Sequence, residues 1–347
     1  MNITLLSDRR AREWDAFVTG FDDATLYHHH AWYDVLADTY GHDKRLLVAY
    51  DDEDRIAGVL PMMLVKLPVL GAKLIACPYQ ASAGPPLAND DDVFKALLEA
   101  AIEMGRAADA KFVEIRGPAN DARMTSAGFD ERHGGTFDSV IRMHEVTRST
   151  IHRGHRQDLN RVNRLGIEIR EATSLAEWRT FYEMFEFLQR EFAAIGLGWA
   201  IFENLFLNLP TKAKVRLARL DGEVIAGAFL LCHHKTIFSK QAVVMPDHVR
   251  TGIGKGLVWS TMEWGKSAGY DVLNLGISLQ SQTHVLKFKE GFNATARPLS
   301  SYVYALGATP PSYEDLYEGY GTLKKMWKKM PLPATKLAGA MLTRWFC

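Results

Sequence analysis

The chain repeats itself. Leu46-Leu47-Val48-Ala49-Tyr50 leads into the acidic turn Asp51-Asp52-Glu53-Asp54 and out along Arg55-Ile56-Ala57-Gly58-Val59-Leu60. Far downstream, Val215-Arg216-Leu217-Ala218-Arg219-Leu220 leads into Asp221-Gly222 and out along Glu223-Val224-Ile225-Ala226-Gly227-Ala228-Phe229-Leu230. Each reads as a strand, a tight turn and a second strand carrying Ile-Ala-Gly. Val93, Phe94, Leu97, Leu98, Ala101 and Ile102 then fall at helical spacing, with Asp90 to Asp92 available to cap. Leu257, Val258, Thr261 and Met262 repeat that spacing. A short strand follows each helix, Lys111 to Ile115 in one copy and Tyr270 to Leu275 in the other. Repetition in a fixed order limits the chain to two copies of one α/β unit, each with a mixed sheet.

Composition agrees with such a protein. The 347 residues suffice for two cores, and 47% apolar with 24% charged residues is a globular balance. Lys plus Arg and Asp plus Glu both number 41, so no overall field gathers nucleic acid, and a polyanion needs a local patch. Three scattered cysteines, Cys77, Cys232 and Cys347, argue against a disulfide framework or a thiolate metal site and fit a reducing compartment. The N-terminal residues lack the apolar core of a signal peptide. The most apolar stretch, Val59 to Cys77, is broken by Pro61, Lys66, Pro68 and Lys73, short of the about 20 residues a bilayer requires. A cytoplasmic protein is expected.

These signals divide the chain into a first half over 1–147, a second over 148–308 and a tail over 309–347. The second half opens with a basic segment, Arg148 to Arg170, that ends near Gly166. A helical insertion is expected over about 175–209, where Trp178, Phe181, Tyr182, Phe185, Leu188 and Phe192 form an apolar face. Thr309-Pro310-Pro311-Ser312 reads as a linker. The tail beyond Gly321 carries six basic residues and no acid, its lysines alternating with Met326, Trp327 and Met330. Such a segment lies on anionic lipid or docks on its own domain; the two readings are equally good.

Several segments in order resemble the FemAB family of acyltransferases. They are His29-His30-Ala31-Trp32 with Val35, Ala57-Gly58-Val59-Leu60-Pro61, the basic run closing in Gly166-Ile167, and Leu286-Lys287-Phe288-Lys289-Glu290-Gly291-Phe292. The tail Trp327-Lys328-Lys329-Met330-Pro331-Leu332-Pro333, with Gly339 and Arg344, resembles the branch associated with exosortase and exopolysaccharide systems. The resemblance covers nearly the whole chain and implies two tandem GNAT-like domains. It also implies transfer of an acyl or aminoacyl group, from acyl-CoA or aminoacyl-tRNA, to an amine on a peptidoglycan or exopolysaccharide precursor. No permanently bound cofactor is implied. Two positions depart from the pattern: Leu36 stands where some peptidoglycan-directed members have a phosphate-binding lysine, and Asn274 stands where an aspartate often precedes Leu-Gly.

Three motifs are suited to chemistry. Arg250-Thr251-Gly252-Ile253-Gly254-Lys255-Gly256 precedes a helix, where exposed N–H groups and close-approach glycines hold phosphate. Its glycines are offset by one from the GNAT coenzyme A loop, and the plainer reading is a loop that starts a helix. Phe288-Lys289 lies, by resemblance, at the family's catalytic site, where an ammonium stabilises an oxyanion or, with a lowered pKa, moves a proton. A lone lysine at that place would otherwise be read as snorkelling. Third, Arg153, Arg156, Arg161 and Arg164 suit tRNA or nucleotide phosphates, although such a run is more often a solvated helix face.

Main-chain donors near Ser239, Gln241 and Val243 would complete the donor site, with Arg250, Gly252, Gly254 and Gly256 on the phosphates. Trp32, Tyr79, Gln80 and Ser82 would line the acceptor cleft of the first half. No metal is expected. His28, His29 and His30 are consecutive and cannot all face one ion, His233 and His234 alternate across a strand, and His152 with His155 lacks a third ligand. Partners implied are a small-molecule or lipid-linked glycan acceptor, tRNA, and the inner membrane face through the tail. The competing class is a degenerate acyltransferase fold acting as a scaffold, to which Leu36, Asn274 and the offset glycines all point.

Overall fold

A computed structural model describes residues 1–67, 71–79, 84–308, 327 and 329–344. The chain divides into two compact units, one built on Met1–Phe137 with the return segment from Pro298, the other on Asp138–Arg297 with the C-terminal helix Leu332–Thr343.

In the first unit, β1 (Asn2–Leu5) is followed by α1 (Ala11–Thr19) and α2 (His30–Tyr40). Then come β2 (Asp43–Tyr50), β3 (Ile56–Leu67), β4 (Gly71–Ala76), the short β5 (Leu87–Ala88) and α3 (Asp91–Ala107). β6 (Ala110–Pro118), α4 (Ala122–Ser126) and β7 (Asp130–Arg142) close the series. β1 through β4 pair antiparallel in sequence, and β6 joins β4 in parallel after the α3 crossover. The second unit starts from α5 (Arg153–Arg164) and β8 (Glu168–Glu171), followed by α6 (Leu175–Glu191) and α7 (Trp199–Asn208). β9 (Ala213–Leu220), β10 (Glu223–His233), β11 (Thr236–Val244), α8 (Ile253–Ser267) and β12 (Val272–Leu279) come next, then α9 (Thr283–Glu290) and β13 (Thr295–Ala305). β8, β9, β10 and β11 pair antiparallel in turn, and β12 joins β11 in parallel after α8.

From β1 to β7 and from β8 to β13 the strands and α-helices of the two series match one for one, with only the two-residue β5 unmatched. The helices expected as an insertion over 175–209 are therefore the counterparts of α1 and α2, part of the repeat itself. The units also meet at 137/138 rather than 147/148. The reason lies in β7 and β13, each of which contributes residues to both units. β13 runs from the second unit back into the first, where Leu299 to Ala305 pair antiparallel with Pro118 to Phe112 of β6.

Local chemistry accounts for the elements. Asp221 and Gly222 both have positive φ, 50° and 85°, the backbone of a type I′ hairpin turn. The first hairpin turns instead on Asp51, whose Oδ1 accepts the N–H groups of Glu53 and Arg55. Asp90 caps α3, its Oδ1 accepting from Val93 N–H at 2.8 Å. Each unit encloses its own core. Leu60, Met62, Leu74, Phe94, Leu97 and Tyr302 are central to the first, and Ile141, Leu159, Leu230, Leu257, Leu273 and Phe292 to the second. Trp32, expected to line an acceptor cleft, is core: 3% exposed, edge-on to Tyr27 at 5.2 Å between centroids.

The C-terminal helix packs on α6 within the second unit. Thr343 Oγ1 donates to Gly196 O at 2.7 Å, and Lys336 Nζ stands 5.8 Å from the Tyr182 ring centroid. The linker 309–312 and Lys324, Lys325, Met326 and Lys328 lie outside the described residues. Among the described residues no helix is long and apolar enough to cross a membrane.

Candidate functional site

β11 and β12 begin as parallel neighbours, pairing Thr236 with Val272, Ile237 with Leu273 and Phe238 with Asn274. Beyond that point both strands deviate. On the β10 side the register of β11 slips between Ser239 and Gln241, leaving Lys240 as the extra residue of a β-bulge. On β12, Gly276 turns left-handed at φ 71°, and a Cβ there would sit 3.3 Å from Ser239 O. Ser239 and Gln241 are half-buried and Val243 is buried, and the bulge breaks the simple alternation that would have put all three on one face.

Side chains satisfy both backbone polar groups of Gly276. Its N–H donates to Asn274 Oδ1 at 2.8 Å, and its carbonyl accepts from Lys289 Nζ at 2.6 Å. With its N–H taken by Asn274 and its carbonyl turned to Lys289, Gly276 does not continue the ladder with β11. Asn274 Nδ2 donates to Asp138 Oδ2 at 2.8 Å. Asp138, 3% exposed, also receives Arg297 through both carboxylate oxygens, Nε at 3.0 Å and Nη2 at 2.8 Å. Ser278, two residues beyond Gly276, is 1% exposed, and its hydroxyl has no hydrogen-bond partner among the described residues.

Lys289 comes from α9 and is the buried residue of that helix, at 5% exposure. Burial lowers its ammonium to about 8, while the charge of Asp138 works in the opposite direction. The preceding residue, Phe288, is half-buried and anchors the helix on the second core. Its carbonyl bonds His155 Nε2 at 2.9 Å, and the His155 ring lies 4.4 Å from that of Phe292. Burial pushes His155 down, with the Phe288 carbonyl opposing. His155 therefore braces α9 from α5, a role that its spacing from His152 does not reveal.

The glycine loop takes a definite form. A 3-10 turn over Pro246–Thr251 leads to Gly252, at φ 85°, which precedes α8 without a side-chain cap. A Cβ at Gly252 would lie 2.6 Å from Asp158 Cβ, and one at Gly256 would lie 3.3 Å from Val162 Cγ1, so both glycines let α5 approach α8 closely. Gly254 is different: a Cβ there meets nothing nearer than Val244 Cγ2 at 3.7 Å. Asp158 binds the Lys255 ammonium and Arg161 Nη1, and Arg161 also donates to Arg250 O at 2.9 Å. Arg250 itself is exposed. The basic run is thus divided. Arg161 serves this loop, whereas Arg148, Arg153 and Arg156 line an open groove with Ser149, Gln157 and Asn160, a lining without an acid.

In the first unit, Tyr79 is half-buried at φ 60°. Its ring stacks on Tyr40 at 4.3 Å, and its hydroxyl lies 2.7 Å from His42 Nε2 and 3.1 Å from Arg344 O. Gln80 and Ser82 lie outside the described residues. The three histidines separate. His28 turns inward to Pro85 O at 3.0 Å, while His29 Nε2 and His30 Nδ1 reach Asp15 Oδ2 at 3.1 and 2.7 Å. This trio is the group among the described residues whose donor atoms approach as metal ligands would. His29 Nδ1, however, accepts the N–H of Ala31 as the cap of α2. That fixes the ring proton on Nε2, where it donates to Asp15 and leaves no lone pair for an ion. The cluster is a helix cap.

Residues 147–289 match the family described as an acetyltransferase (GNAT) domain, a segment that ends on Lys289. A search of curated proteins finds no match. Among solved structures the chain is similar to FemX, with a TM-score of 0.72 at 13% identity, covering 93% of this chain and 100% of that one. The C-terminal domain of a putative lysylphosphatidylglycerol synthetase from Agrobacterium fabrum is similar with a TM-score of 0.56 at 17% identity, over 90% of this chain and 96% of that one. A tandem GNAT protein from the clavulanic acid biosynthesis pathway has a TM-score of 0.55 at 10% identity, over 89% and 99%. The chain has the mixed α/β fold of tandem GNAT and FemX structures. The segment that matches the GNAT family lies within the second unit.

Proposed function

We propose that the chain moves an acyl or aminoacyl group from acyl-CoA or aminoacyl-tRNA to an amine on a cell-envelope precursor, a peptidoglycan or exopolysaccharide intermediate. The donor carbonyl lies in the second unit, where β11 and β12 part. The neutral acceptor amine attacks it, a tetrahedral oxyanion forms, and expulsion of the thiolate or ribose oxygen, which takes up the proton the nitrogen sheds, completes the transfer. No covalent intermediate on the protein is needed. Main-chain N–H groups of β11 near Ser239, Gln241 and Val243 and the ammonium of Lys289 stabilise the oxyanion. The observation that carries this reading is the buried Lys289 ammonium seated on Gly276 O at the parting of the strands.

Gly254, where a Cβ would meet only Val244 Cγ2 at 3.7 Å, is where a donor phosphate approaches α8, and Arg250 is the exposed cation beside it. The acid-free groove of Arg148, Arg153 and Arg156 suits the phosphates of a larger donor such as tRNA. Tyr79 contributes to acceptor binding in the first unit. The acceptor is a small molecule or a lipid-linked glycan, met at the inner membrane face with the aid of the basic tail.

Donor binding tests the proposal. Acetyl-CoA or a charged tRNA at a hundred times its Kd adds about 2.7 kcal/mol of stability, a shift of the thermal midpoint read directly on the purified protein. Lys289→Ala is expected to abolish transfer while the chain still melts cooperatively. A second reading, a binding module without catalysis, is favoured by one contact: the Asp158 carboxylate that neutralises Lys255 beside the glycine loop. If neither donor shifts the melt while removal of the tail frees the protein from anionic liposomes, that second reading replaces the first.

A further inference from the structure

Four groups link up behind the Lys289 amine, and its ordinary packing requires only the last of them. Arg297 of β13 clamps both oxygens of Asp138 on β7, Asp138 accepts from the Asn274 amide, and Asn274 turns its own oxygen to Gly276 N–H. The amide orientation of Asn274 follows from its neighbours, because a carboxylate takes only the NH2 end and a backbone N–H takes only the oxygen. The left-handed Gly276 then presents its carbonyl to Lys289.

We propose that Asp138 is a positioning residue, which through Asn274 holds the Gly276 turn and so fixes the carbonyl on which the Lys289 ammonium is seated. The inference rests on the reading of Lys289 as the working amine. It goes further by assigning that amine's environment to a carboxylate on β7, outside the strands that part.

Two features of the geometry favour this over incidental packing. Asp138 is 3% exposed, and a carboxylate so buried is tolerated only when its oxygens are bonded, as they are here by Arg297 and Asn274. An acid at position 274 would face Asp138 at hydrogen-bond distance, so the amide there and the acid on β7 form a matched pair. The charged and titratable groups around Lys289 are Asp138 of β7 with its partner Arg297 of β13, and His155 of α5 behind the Phe288 carbonyl. Lys287 and Glu290 flank it on its own helix and are exposed. Asp138 is the negative side chain that acts on the ammonium, holding it up against burial.

Competitive labelling of the folded protein with acetic anhydride across pH, read at Lys289 by peptide mass spectrometry, measures this without a substrate. The wild-type amine should titrate near 8. In Asp138→Asn it should titrate about one unit lower, the low end of what a neighbouring opposite charge contributes. In the exchange Asp138→Asn with Asn274→Asp, which keeps one carboxylate in the pair, it should return toward the wild-type value. If Asp138→Asn melts as the wild type does and Lys289 titrates unchanged, the proposal is overturned. Should Asp138→Asn fail to fold, Asn274→Ala is read in its place. It keeps the Asp138–Arg297 pair and cuts only the link to Gly276, so an unaltered Lys289 titration there also overturns the proposal. Failure of the wild type to bind or turn over any donor would overturn the functional reading and leave the titration result standing.

Discussion

Lys289 Nζ donates to Gly276 O across 2.6 Å, a bond between the last turn of α9 and the one left-handed residue of β12. The carbonyl holds the amine at the point where β11 and β12 cease to pair. If the amine stabilises the oxyanion of acyl transfer, Lys289→Met should reduce turnover by about a hundredfold or more, the usual loss for one oxyanion donor, with little change in donor affinity. Steady-state kinetics with the donor identified by thermal shift would check it. A loss confined to KM would contradict the role.

The same amine should leave a mark on stability. Its folded pKa, about 8, lies below the unfolded 10.5, so between those values the unfolded chain binds more protons than the folded one. Stability from this group therefore rises as pH goes from 8 to 10.5, by up to about 3 kcal/mol. Lys289→Met should remove that rise, seen as a flatter plot of urea midpoint against pH. An identical slope in the variant would mean the amine is not held as described.

Glu186 predicts the opposite trend in a different window. It is 5% exposed on α6, and burial raises it to about 7, with Lys336 of the C-terminal helix pulling it down. The folded state then holds a proton that the unfolded state releases above 4.5, so stability falls as pH rises from 4.5 to 7 and stays low beyond. Glu186→Gln should relieve this, raising the thermal midpoint at pH 8 and leaving it unchanged at pH 4. Equal shifts at both values would assign the effect to packing instead.

The glycine loop separates structure from binding. Gly252→Ala places a Cβ 2.6 Å from Asp158 Cβ at a φ of 85°, and should cost about 1–3 kcal/mol. Gly254→Ala makes only an ordinary contact with Val244 Cγ2, at 3.7 Å, in the first turn of α8 and should hold or slightly raise stability through helix propensity, while weakening any donor whose phosphate lies there. Chemical denaturation and donor titration of the two variants would distinguish these effects. Unweakened donor binding in Gly254→Ala would remove the loop from the site.

Much of the fold was legible because it was written twice. Hairpin turns, helical spacing and strand order each recur, and agreement between two copies outweighs the ambiguity of either. Register was less legible. The shared Ile-Ala-Gly letters place Gly58 under Val93 and Leu97 of α3 but Gly227 under Phe181 of α6, whose counterpart in the first unit is α1. Bulges in both hairpins, at Ala49/Tyr50 and Val224/Ala226, shift which face a letter occupies, and nothing in the letters marks them. At the candidate site, Phe288 and Lys289 could be singled out only through the family resemblance of the segment Leu286 to Phe292; taken alone, the lysine reads as snorkelling. Asp138, Arg297 and His155 could not: they come from three different elements, and each alone looks like a surface charge or an ordinary histidine. Trp32, expected in the acceptor cleft, is turned inward by the helix α2.

The return of β13 to β6 has a consequence for how the protein is made. Leaving the ribosome, the N-terminal globule cannot finish itself: β6 emerges with one side bare and waits until Leu299 to Ala305 have been synthesised. A bare strand edge recruits whatever strand comes by. Over that interval nearly the whole second repeat must emerge and fold, so cutting the gene at the midpoint of the duplication should yield an insoluble N-terminal fragment rather than half a protein.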